Sequence, residues 1–91
     1  MKQLYYWVTD RRGFHVRPAI MVSKCMKKLQ CDVIVEYNGH VESGKDQKGM
    51  LAMGVPKGGL MIFSVRGKEE DLAIEQLEAV LQDWEKGNLR F

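Results

Sequence analysis

The architecture of this chain turns on Val33-Ile34-Val35-Glu36-Tyr37-Asn38-Gly39-His40-Val41-Glu42-Ser43. The β-branched run from Val33 to Tyr37 predicts a strand. Asn38-Gly39 is the strongest short hairpin signal, because a tight two-residue turn needs positive φ at both central positions. A short partner strand from Val41 to Ser43 is expected to return from it. This hairpin sits inside a chain whose other elements alternate between strand and helix.

Upstream, the aromatic-rich run Leu4 to Val8 reads as a first strand, ended by the turn signal Asp10-Arg11-Arg12-Gly13. A helix is expected next. Ala19, Val22, Cys25, Met26 and Leu29 recur at three- and four-residue spacing, with Ser23, Lys24, Lys27 and Lys28 opposite. Downstream, Asp46 reads as the N-cap of a short helix, with Met50, Leu51 and Met53 as its apolar side and Gly54 as its stop. Lys57-Gly58-Gly59 predicts a turn, and Leu60 to Val65 a buried strand closed by Gly67. In the last helix, Glu69, Glu70 and Asp71 suit the positive N-terminal end. Ala73, Leu77, Val80, Leu81 and Trp84 form its apolar stripe, and Lys86-Gly87 closes it. The order β-α-β-β-α-β-α predicts an α+β two-layer sandwich, a four-stranded antiparallel sheet covered on one face by three helices.

The chain has 91 residues, and residues 1–91 are read as one domain, with no linker or repeat. Apolar residues make up 45% and charged residues 29%, which suits a globular protein and argues against disorder. Fourteen basic and twelve acidic residues give a net charge of +2, too small an excess to imply a nucleic-acid partner. The apolar run near the N-terminus is too short for a signal core or a membrane span, so a cytoplasmic protein without membrane insertion is expected. Cys25 and Cys31 match no metal or redox motif and read as free thiols. The six methionines, among them Met21, Met26, Met50 and Met53, read as packing. Gly39 to Asp46 nearly spells a phosphate-binding P-loop, but Asp46 stands where a hydroxyl is needed and Gly39 lies in a hairpin turn. His40, in the same turn, reads as a surface residue.

Chemistry concentrates in Gly13-Phe14-His15-Val16-Arg17-Pro18-Ala19, between the first strand and the first helix. With His15 at the N-cap, the amides of Val16 and Arg17 fall in the first turn, which offers them no internal acceptor. Pro18 fits where an N–H would go unused. Two amides, the positive helix end and the Arg17 guanidinium thus form an anion site beside an imidazole. A neutral imidazole is a competent nucleophile that titrates near physiological pH, which suits it to carry a phosphoryl group.

This segment resembles the HPr family signature, Gly-(Leu/Met/Ile)-His-x-Arg-Pro-Ala, at the same distance from the N-terminus. Glu36-Tyr37-Asn38-Gly39, and Lys45 to Gly54 with Gly49, Lys57 and Gly58, are similar to that family in residue and spacing. The resemblance implies an open-faced sandwich and a link in a phosphorelay. Enzyme I would phosphorylate His15, and the IIA domains of the sugar phosphotransferase system would receive the group. Arg17 would be its charge partner, and no cofactor or metal and a monomeric state are expected. Three departures stand out. Asp46 occupies the position of a serine that HPr kinase phosphorylates in Gram-positive members, where it reads either as a good cap or as a fixed mimic of the phosphorylated state. Gln47 and Lys48 replace apolar residues of a docking patch that would include Leu51 and to which Ile20 could contribute. Phe14 replaces an aliphatic residue. These departures define an alternative, a regulatory HPr-like module acting on a transcription factor or enzyme through the Asp46 helix.

Overall fold

Period-two burial in the strands and period-3.6 burial in the helices build two layers that share one core. The structure, a computed structural model, describes residues 1–87. Its elements are β1 (Lys2–Trp7), α1 (Val16–Lys27), β2 (Cys31–Tyr37), β3 (His40–Ser43), α2 (Gln47–Ala52), β4 (Leu60–Gly67) and α3 (Glu70–Glu85). This is the β-α-β-β-α-β-α order the sequence predicts. The sheet is antiparallel throughout, in the order β1-β4-β2-β3. The last strand in the chain is therefore a central one, with Phe63 opposite Leu4 on one side and Val35 on the other.

Val33, Val35, Met61, Phe63 and Val65 turn inward, against Ala19, Val22 and Met26 of α1, Met50 of α2, and Ala73, Leu77 and Leu81 of α3. The opposite face of the sheet is open: Tyr5, Trp7, Ile34 and Val41 are exposed there. For this reason β4 is buried on one face only, and Leu60, Ile62 and Ser64 stay half-exposed where the sequence suggests a fully buried strand. Asn38 and Gly39 take φ of 52° and 86°, closing the hairpin with Tyr37 opposite His40. The resulting β3 excludes a P-loop over this stretch. His40 is engaged by its neighbour, with Nε2 2.6 Å from Glu42 Oε2.

Two element ends differ from expectation. Val8 lies just beyond β1 yet is core, because its N–H donates to the Gly59 carbonyl and its own carbonyl accepts from Gly58 rather than from the sheet. Leu29 lies beyond α1 and still packs into the core. One expectation is corrected outright. Asp46 is the N-cap of α2 by backbone conformation, but its carboxylate makes no capping hydrogen bond. The third helical residue is Gly49, and its missing side chain leaves a space that Asp46 and Glu42 fill instead: a Cβ built there would meet Asp46 Oδ2 at 2.8 Å. Lys45, just before, reaches across to the end of α1, where Nζ donates to the Leu29 carbonyl at 3.0 Å. Cys25 and Cys31 are free thiols, and no described helix is long and apolar enough to cross a membrane.

Candidate functional site

The segment before α1 is fixed by its backbone. Gly13 N–H donates to the Asp10 carbonyl and Phe14 N–H to the Val55 carbonyl, each at 2.9 Å. Gly13 has φ +74°, and a Cβ added there would collide with the Val55 carbonyl oxygen, so both backbone shape and close approach demand glycine. Phe14 is buried, which anchors the segment in the core.

His15 follows in extended conformation as the N-cap of α1. Its carbonyl accepts from Ala19 N–H at 3.2 Å, which starts the helix, while the imidazole makes no capping bond. The ring packs against Trp84 at the end of α3, with centroids 5.9 Å apart and planes at 70°. Trp84 also meets Phe14 edge-on at 5.7 Å and Tyr6 at 5.9 Å. Among the described residues, Nε2 of His15 is buried without a hydrogen-bond partner, 3.6 Å from Oδ2 of Asp10.

Asp10 is itself held by Arg12. Its Oδ1 accepts from the Arg12 N–H at 2.8 Å and from Nε at 3.3 Å, and Oδ2 accepts from Nη2 at 3.2 Å. Those side-chain and backbone hydrogen bonds hold the Asp10 carboxyl down to about 2. On the open side, Arg12, His15, Val16, Arg17 and Ile20 line one shallow depression. An adjoining one is lined by Asp10, Arg12, Arg17, Trp84, Glu85 and Gly87. Two arginines thus line the same depression as the imidazole at the positive end of α1, a setting that attracts a dianion beside a nitrogen nucleophile.

The structure brings four of the expected site residues together: His15, Val16, Arg17 and Ile20. It does not place Asp46, Gln47, Lys48 or Leu51 on that depression. They stand on or before α2, which packs against α1, with Leu51 partly buried against the core and Lys48 and Asp46 exposed. Asp10, Arg12 and Trp84 are neighbours that sequence reasoning missed. The first two were legible only as turn residues, although a carboxylate and a guanidinium two apart, just before the histidine, were a usable signal. For Trp84 there was none beyond its place on an apolar stripe.

Comparison with known proteins bears on the same region. Residues 4–83 match the family model described as the PTS HPr component phosphorylation site. The phosphocarrier protein HPr of Buchnera aphidicola subsp. Acyrthosiphon pisum (strain APS) is 31% identical over 78 residues, covering 86% of this chain and 92% of that protein. Among solved structures, the histidine-containing phosphocarrier protein of Mycoplasma superposes with a TM-score of 0.89 at 23% identity, over 91% of this chain and 94% of that one. At that identity the likeness speaks for the fold alone. HPr from Thermoanaerobacter tengcongensis superposes with a TM-score of 0.83 at 25% identity, over 91% and 93% of the two chains.

Proposed function

The chain belongs to the HPr family of the phosphotransferase system, and from that premise we propose that it accepts a phosphoryl group on His15 from Enzyme I and passes it to IIA domains of sugar transport systems. The observation that carries this reading is the setting of the imidazole. It stands at the N-terminus of α1 on a depression that Arg12 and Arg17 also line, and its Nε2 edge is buried. An incoming phosphorus then reaches Nδ1. The nitrogen lone pair attacks, the bond from phosphorus to the donor breaks, and that electron pair stays with the donor. The first-turn amides and the guanidinium groups stabilise the charge on the phosphoryl oxygens. Handing the group to an acceptor reverses these steps.

A built phosphate setting around His15 favours the carrier over a purely regulatory module. The test is incubation with Enzyme I and phosphoenolpyruvate. One phosphate is expected on His15, acid-labile and base-stable as a phosphoramidate should be, and absent in His15→Ala. Labelling that persists in the variant would overturn the assignment.

A further inference from the structure

A neutral imidazole has one N–H and one lone pair, so the group facing its buried nitrogen decides which nitrogen can attack. In this protein that group is a carboxylate. Resting on the carrier reading, we propose that Asp10 is a positioning residue for His15: it keeps the ring proton on Nε2, and so leaves the Nδ1 lone pair free for phosphorus. Three observations support this. Nε2 is buried and has no other polar partner among the described residues. Asp10 Oδ2 lies 3.6 Å away, so a movement of less than about 1 Å makes a charge-assisted hydrogen bond. Arg12 holds both oxygens of that carboxylate, and Trp84 packs against the ring, so neither partner is loose.

The opposite tautomer would point the Nε2 lone pair at carboxylate lone pairs and place the proton on the attacking nitrogen. With the proton on Nε2, Nδ1 bonds to phosphorus while the donor keeps the electrons of its broken bond. The proton stays where it was, and the phosphorylated ring carries a positive charge that Asp10 faces. Transfer to an acceptor returns the ring to neutral. Arg12 has a double part here, since it fixes Asp10 and also lines the depression where the phosphoryl group would sit.

Asp10→Asn separates these roles. Its amide oxygen can still accept the Arg12 N–H and preserve the turn, which puts an NH2 donor toward Nε2. Nitrogen-15 spectra of the unphosphorylated full chain, followed over a pH series to their alkaline plateau, should show Nε2 protonated in the wild type and Nδ1 protonated in the variant. The initial rate of phosphorylation should fall at least about 10-fold, through kcat rather than KM for Enzyme I. Asp10→Ser, whose hydroxyl keeps the turn but falls short of the ring, should lose the tautomer preference and supplies the same readouts if the Asn variant fails to fold. An unchanged tautomer or an unchanged rate overturns the proposal. If the wild type itself takes no phosphate, the carrier reading falls, and the tautomer alone decides the part of Asp10.

Discussion

At the scale of single residues, the site is a matter of which charges stand beside one ring. Arg17 lines both depressions next to His15, together with Arg12. A guanidinium that contacts a phosphoryl dianion contributes about 1.5–3 kcal/mol, so Arg17→Ala should slow phosphorylation roughly 10- to 100-fold and leave the fold intact. Rapid-quench rates on variants with unchanged circular dichroism check this, and an unchanged rate would make Arg17 a bystander. Arg12 tempers the expected loss, because a second cation remains. His15 and Arg17 were legible in the sequence because a helix start with histidine, arginine and proline is a local pattern. Asp10 was only half legible, since its role depends on a carboxylate folding back five residues onto a ring nitrogen, a distance that turn chemistry does not specify.

At the scale of elements, α2 is where the sequence and the structure diverge. Its start was legible from Asp46, yet the carboxylate makes no cap bond and shares the space above Gly49 with Glu42. What remains of Asp46 is a fixed negative charge on an exposed residue at the helix end. Asp46→Asn should therefore change stability by less than about 0.5 kcal/mol in urea titration. If that charge stands in for a phosphorylated serine and weakens docking of Enzyme I, the same substitution should raise the Enzyme I-dependent rate a few-fold at low salt, since one exposed charge near a helix end is worth about 0.3–1 kcal/mol. Asp46→Ser should behave alike, and the difference should shrink as salt rises. Equal rates for all three proteins at low salt would leave Asp46 without a part in this step. The strands were more legible than α2: their alternation and the Asn38-Gly39 turn set the hairpin register directly. The place of β4 between β1 and β2 was not, because strand order depends on how helices cross the sheet and no local pattern carries it.

At the scale of the whole molecule, the site and the core meet at Trp84, which touches Tyr6 of β1, Phe14 of the site segment and His15. Helical periodicity placed Trp84 inward, but its neighbours come from the far end of the chain, so this junction was invisible before folding. Tyr6 carries a cost there. Its Oη is buried and meets no hydrogen-bond geometry among the described residues, although Glu85 and Thr9 lie near enough to act on it. Burial, and then the Glu85 carboxylate, push the Tyr6 hydroxyl well above its ordinary range. The linkage has a definite sign. The folded state holds this proton more tightly than the unfolded state, so stability is intact below the unfolded tyrosine value of about 10 and declines as pH rises through it. Tyr6→Phe removes both the titrating proton and the unpaired buried oxygen while keeping the ring against Trp84. At pH 7 the variant should be as stable as the wild type or slightly more so, since deleting an unsatisfied buried hydroxyl leaves no partner stranded. Above pH 10 it should hold its urea midpoint better than the wild type, by a margin that widens with pH. Parallel titrations at pH 7, 9 and 11 measure that margin. A constant gap between the two proteins would mean that Tyr6 ionises as easily folded as unfolded, and that its hydroxyl finds a partner or water in solution.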